Sequence, residues 1–144
     1  LRLAKHPNIL AVKDAKGDLS EVSRVLNQTD LMYFAGDDAN VLPTLAIGGT
    51  GLIGVTANIA PGPYRSIVDA VNTNDLATAT AEHQHLEPLV RAIMTHVPGT
   101  VAVKYVLHGL GRIGTPRVRL PLVGPEEHEA AVIEDELDLV KNVA

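Results

Sequence analysis

Ile9-Leu10-Ala11-Val12-Lys13-Asp14-Ala15-Lys16-Gly17-Asp18 is the stretch that decides the fold. A short apolar run bounded by Pro7-Asn8 on one side and by Gly17 on the other reads as a buried strand. Asp18 then stands three residues before Glu21, the D-x-x-E variant of a capping box, which opens a helix. Leu19, Val22, Val25 and Leu26 follow at helical spacing and give that helix one inward face. The same alternation continues downstream. Residues 31–35 predict a second strand, ending at Gly36-Asp37-Asp38, and Asp38 is placed to cap a short helix through Ile47. Pro43 lacks an amide hydrogen and should kink that helix or keep it short. Gly48-Gly49-Thr50-Gly51 closes it, and residues 52–58 predict a third strand. Strand, helix, strand, helix, strand at this spacing means parallel pairing through right-handed crossovers, with the near-continuous apolar strands covered on both faces. The fold class is α/β.

Beyond Pro61-Gly62-Pro63 the pattern becomes helical. Helices are expected over 64–72, over 76–94 with Pro88 inside, and over 100–110. Asp75 is placed to cap the second of these. A connector punctuated by Gly and Pro carries Arg112, Arg117 and Arg119, a surface or subunit contact by default, and a last helix starts near Pro125. At the other end, Leu1-Arg2-Leu3-Ala4-Lys5-His6 interleaves apolar and basic residues up to Pro7. That reads as the last turn of a helix already under way, and the chain is expected to be a piece of a longer one.

Composition narrows the function. At 144 residues, with 46% hydrophobic and 20% charged, the chain can bury a core. Seventeen acidic against 12 basic residues, a net charge of −5, argue against a phosphate-coating surface and hence against nucleic acid. The absence of cysteine removes disulfides, thiolate metal sites and thiol catalysis together. No apolar run approaches the ~18 residues of a membrane span and no signal-peptide pattern opens the chain, so a cytoplasmic protein is expected.

Lys13 carries the most chemical information, because it sits late in an otherwise apolar strand. Burying an ammonium is costly, so such a site tends to hold the amine neutral, and a neutral amine on a rigid strand can form an imine with a ketone. Functional groups of parallel α/β proteins gather at the carboxyl ends of the strands, where Lys13 falls. Spacing alone leaves a second reading open, in which Lys13 snorkels to the strand end or pairs with Asp14 or another carboxylate. The Asp37-Asp38 pair could bind magnesium or work as acid and base. More simply, one Asp caps the next helix while Gly36 lets the backbone approach a pocket. The glycines at 48–51 precede a strand rather than follow one, which fits a tight turn and not a phosphate loop. His83 and His85 are two apart on a helical pattern, point in different directions, and argue against zinc.

Three ordered motifs carry a resemblance. These are Ala11-Val12-Lys13-Asp14-Ala15-Lys16-Gly17-Asp18, then Gly36-Asp37-Asp38, then Gly48-Gly49-Thr50-Gly51-Leu52-Ile53-Gly54-Val55-Thr56-Ala57-Asn58. With Val103-Lys104-Tyr105 and Arg119-Leu120-Pro121-Leu122, they resemble the C-terminal half of the dihydrodipicolinate synthase (4-hydroxy-tetrahydrodipicolinate synthase) family. That family belongs to the Schiff-base, pyruvate-dependent aldolases, which also include N-acetylneuraminate lyase. The resemblance implies strands six to eight of a (β/α)8 TIM barrel over 1–73, a fold that takes ~250 residues to close, followed by a small helical extension over 74–144. It makes Lys13 the catalytic lysine that forms an imine with pyruvate. It places Ile53 in the pyruvate pocket and turns the Gly36 backbone toward the second substrate, L-aspartate 4-semialdehyde. The implied reaction opens lysine and diaminopimelate biosynthesis and uses no metal or organic cofactor. Full-length members are usually homotetramers. The family's Thr-Thr carboxylate pocket, relay tyrosine and substrate arginine belong upstream of the position of Leu1, and Tyr33, Tyr64 and Tyr105 stand in none of those motifs. Alone, the chain is therefore expected to be inactive. Another pyruvate aldolase, such as a sialic acid or keto-deoxy-sugar lyase, and a non-catalytic α/β binding module are the alternatives.

Overall fold

Three parallel strands in the order β1-β2-β3 form the only sheet among the described residues, 1–140, of the computed structural model. The strands are β1 (Ala11–Asp14), β2 (Met32–Ala35) and β3 (Gly51–Leu52). Lys13 lies opposite Phe34, and Phe34 opposite Gly51, so these residues share one row across the sheet. Side chains alternate between faces. Tyr33 and Ala35, each 2% exposed, point into the protein, whereas Ala11, Lys13, Met32 and Ile53 are exposed on the opposite face. The expectation of strands covered on both faces is therefore met on one face only.

Local chemistry sets the first crossover as the sequence predicts. Helix α1 (Leu19–Gln28) starts at Asp18, whose carboxylate accepts from the Ser20 and Glu21 amides and so satisfies two donors of the first turn. The second crossover departs from expectation. Asp37, not Asp38, does the capping: it accepts from the Ala39 amide and starts a 3-10 turn, Asp38–Asn40, that leads into α2 (Val41–Ala46). Pro43 falls in the first turn of α2, where a missing amide leaves no helical bond unmade. The turn after α2 is tight because Gly49 lies against Thr44; a Cβ there would come within 2.6 Å of the Thr44 methyl. Thr50 then ties the turn to β2, its hydroxyl accepting from the Tyr33 amide at 3.2 Å.

The third strand is much shorter than the expected 52–58. Its ladder ends with the Ile53 amide donating to the Ala35 carbonyl at 2.9 Å. The chain then turns because the Val55 and Thr56 amides both donate to Asp38. Gly54 makes this approach possible, since a Cβ on it would sit 2.2 Å from an Asp38 oxygen.

Five further helices follow, α3 (Pro61–Asn72), α4 (Leu76–His85), α5 (Glu87–Met94), α6 (Gly99–Gly109) and α7 (Glu127–Leu137). Asp75 caps α4 as expected, accepting from the Thr78 amide. The single helix expected over 76–94 is two helices that break at Leu86. Pro88 cannot donate to the Gln84 carbonyl, and it is accommodated in the first turn of α5 instead. The last helix begins two residues after Pro125, with Glu129 reaching back to the Glu126 amide at 2.8 Å. At the front, the expected helical turn is a short 3-10 turn, Leu3–Lys5. A single core runs through α2 to α7, built around Val41, Leu45, Ile67, Leu89, Ile93 and Ile133. It continues across the turn between α3 and α4 at residues 73–75.

Candidate functional site

The carboxyl ends of the three strands bring together the residues singled out in the sequence. Lys13 is the third residue of β1, Gly36 follows β2, and Ile53 follows β3. The Gly36 amide donates to the Asp14 carbonyl at 2.8 Å, which extends the ladder by one bond at this end. Lys13 and Gly36 are in direct contact. A Cβ built on Gly36 would fall 2.3 Å from Lys13 Cε and 2.9 Å from the Ala15 nitrogen, so glycine is what lets the lysine side chain lie across the neighbouring strand end. Ile53 stands on the same face one strand further on and is 54% exposed.

The sequence reading placed the Lys13 amine in apolar surroundings. Among the described residues it is exposed, with no hydrogen bond or ion pair to another side chain. The reason is geometric. Lys13 shares its face of β1 with Ala11, away from the helix-covered side, and nothing in residues 1–140 covers that face. Asp14 is not its partner. It projects to the other side and accepts from the Tyr33 hydroxyl at 2.5 Å and from the Lys16 amide at 2.9 Å. These bonds hold the Asp14 carboxyl below the usual carboxylate range, while burial and the adjoining carboxylate push the Tyr33 phenol up. Lys16 pairs instead with Glu21 at 2.5 Å. The burial expected for the Lys13 amine is thus not met within residues 1–140, and the amine lies unpaired at the sheet end.

The two aspartates serve different ends. Asp37 caps, and its second oxygen accepts from the Asn40 side chain at 2.5 Å. Asp38 is fully buried and acts as a hub behind the site: it accepts from Val55 N at 3.0 Å, Thr56 N at 3.1 Å and Thr56 Oγ1 at 2.5 Å. The Thr56 oxygen in turn meets the Tyr64 hydroxyl at 2.6 Å. This network fixes the backbone that follows Ile53. Sequence reasoning missed it; the only available signal was Gly54, in a segment otherwise read as continuous strand. No group of three or more His, Cys, Asp or Glu side chains that could hold a metal occurs among the described residues, and neither the aspartate pair nor His83 and His85 makes one. The connector arginines are partly structural: Arg112 donates to the Ile59 carbonyl at 2.9 Å, and Lys104 to the Arg117 carbonyl at 2.8 Å. No helix among the described residues is long and apolar enough to cross a membrane.

Residues 1–139 match the model of the dihydrodipicolinate synthetase family. A 4-hydroxy-tetrahydrodipicolinate synthase of Kineococcus radiotolerans is 45% identical over 139 residues, covering 96% of this chain and 45% of the relative. The enzyme of the same name from Methanoculleus marisnigri is 42% identical over 123 residues, 83% of this chain and 42% of its own length. The chain therefore spans about half the length of the curated relatives it matches. Among solved structures, a dihydrodipicolinate synthase of Thermotoga maritima superposes with a TM-score of 0.88 at 27% identity, over 95% of this chain and 48% of that one. The chloride-inhibited synthase of Acinetobacter baumannii, complexed with pyruvate, gives 0.89 at 28% identity, over 99% and 49%. The α/β arrangement of helices on a small parallel sheet is the one found in these structures.

Proposed function

Because this chain belongs to the dihydrodipicolinate synthetase family, we propose that it provides the imine-forming part of a lyase that condenses pyruvate with L-aspartate 4-semialdehyde to 4-hydroxy-tetrahydrodipicolinate. In this reading β1, β2 and β3 are strands six to eight of a (β/α)8 barrel, residues 1–73 belong to that barrel, and residues 74–144 form its helical extension. The enzyme is a cytoplasmic member of lysine and diaminopimelate biosynthesis and works as a homotetramer at full length.

One observation carries the reading: a lysine with no partner among the described residues lies across a glycine at the carboxyl end of a parallel sheet. The Lys13 amine adds to the ketone carbon of pyruvate and water leaves, giving a protonated imine. That cation draws electrons from the adjacent methyl group, which loses a proton to give an enamine. The enamine carbon attacks the aldehyde of the second substrate, and the adduct closes to the ring with overall loss of one water and return of the free amine. Ile53, apolar and on the same face, lines the pyruvate end of the pocket, and Gly36 turns backbone toward the aldehyde. Asp38, through Val55 and Thr56, holds the segment after Ile53 in place.

The test is reductive trapping. The chain, its barrel completed by the amino-terminal portion of a relative, is incubated with pyruvate and borohydride, digested, and its peptides weighed. A stable pyruvate-derived mass increase on the peptide containing Lys13, absent from a Lys13→Ala variant, is the expected result. An unmodified Lys13 peptide would favour a non-catalytic binding module. An adduct on Lys13 in a completed barrel that turns over a sialic acid or keto-deoxy sugar, but not aspartate semialdehyde, would assign a different pyruvate aldolase.

A further inference from the structure

A cavity of about 280 Å3 opens among the helices, and neither Lys13, Gly36 nor Ile53 lines it. Its walls include Ala39, Tyr64, His83, Leu86, Val90 and Arg91. Tyr64 and Leu86 are almost wholly buried, so the depth of the cavity is apolar ring and aliphatic chain. An apolar cavity of roughly 150 Å3 already accepts benzene, so this one has room for a ring and a substituent. The charges nearby are matched. Arg91 donates through Nε to Glu136 at 2.6 Å and through Nη1 to Glu87 at 3.0 Å. The Tyr64 hydroxyl is engaged with Thr56. His83 is different: it is half-buried on the wall, with no hydrogen bond or ion pair to another described residue. Burial lowers its pKa, which favours a neutral imidazole with one donor and one acceptor nitrogen.

We propose that this cavity is a binding site for a small uncharged molecule of about one ring, whose single polar group hydrogen-bonds to His83. A charged ligand would lose its hydration without finding an unmatched counter-charge, and a purely apolar one would leave the imidazole unsatisfied. The site is also connected to the sheet. Ala39 directly follows Asp38 in the chain, and Tyr64 reaches the same carboxylate through Thr56. A ligand pressed between Ala39 and Tyr64 therefore bears on the hub that sets the backbone after Ile53. The proposal stands on the cavity alone and is independent of imine formation at Lys13.

Phenol is the probe, and toluene its control of equal shape without the hydroxyl. Both are titrated into the isotope-labelled 144-residue chain, with amide and histidine ring signals recorded. Saturable shifts at Ala39, His83 and Val90, relayed to Val55 and Thr56, are expected, with a phenol dissociation constant on the order of 1 mM. His83→Phe should weaken phenol roughly five- to tenfold and leave toluene unchanged, as loss of one hydrogen bond requires. His83→Gln, which keeps a donor and an acceptor, should retain most of the phenol affinity. Val90→Trp should abolish binding of both by filling the space. Shifts that never saturate, shifts centred on the open sheet face, or a phenol-to-toluene preference that survives His83→Phe would each overturn the proposal.

Discussion

Gly36 cannot carry a side chain while Lys13 keeps its present course. Gly36→Ala would drive its methyl against Lys13 Cε and the main chain at Ala15 together. Since the backbone cannot step aside, the substitution is expected to cost about 1–3 kcal/mol in urea unfolding and to cut the yield of trapped pyruvate adduct. The Asp14–Tyr33 bond offers a second test, with a defined pH window. Asp14 has a lowered folded-state pKa, so its share of the stability is present above the ordinary carboxyl value of ~3.9 and is lost as the pH falls through the folded value. Tyr33 has a raised one, so its share is present below the ordinary phenol value of ~10 and is lost as the pH rises through the folded value. Between those limits Tyr33→Phe should cost about 1.5–3 kcal/mol, a hydrogen bond to a charged acceptor, and the gap from the parent protein should close in acid. A constant gap from pH 7 down to pH 2 would show that Asp14 draws no stability from the hydroxyl.

Among the elements, the two neighbouring aspartates should respond in opposite ways to the same change. Asp37→Asn keeps an acceptor for the Ala39 amide, and the Asn40 side chain can turn its amide to accept from the new NH2, so the change should cost little. Asp38→Asn puts donor hydrogens where a buried carboxylate receives two amides and a hydroxyl, and is expected to cost roughly 2–4 kcal/mol. Chemical denaturation of the two variants side by side decides the matter, and equal losses would refute the division of roles. The contrast also marks how far the fold can be read from the chain. The caps at Asp18 and Asp75 were legible because each acts on amides two or three residues away. Asp38 was not, since its partners lie 17 and 18 residues on and no local pattern announces them. The same distant contact cut β3 short. Pro88 was visible in the sequence, yet the alanine-rich run around it outweighed a break that the missing amide makes necessary. Lys13 and Gly36 were legible as neighbours because strand ends of a parallel sheet converge, and Ile53 was named only through the family resemblance, whereas the exposure of Lys13 depends on what lies over the sheet, which no single strand records.

The molecule as a whole ends its sheet at β1 on one side and at a two-residue β3 on the other. Leu10, Met32 and Ile53 stand exposed on or beside these strands. Unpaired strand edges beside apolar side chains favour association, so light scattering from the chain should rise with concentration and fall when Met32→Lys breaks the apolar face. Nothing among the described residues encloses Lys13, so assay of the chain with both substrates of the proposed function should show little or no turnover. Turnover approaching that of a full-length synthase would refute the incomplete-pocket reading. The open edges have one more consequence. A sheet that stops with its amides and carbonyls unpaired is a template, and the barrel of the proposed function can be completed by a polypeptide that shares no peptide bond with this one. Co-production with the amino-terminal portion of a relative should reconstitute a split catalyst, its activity recovered by docking of two separate polypeptides.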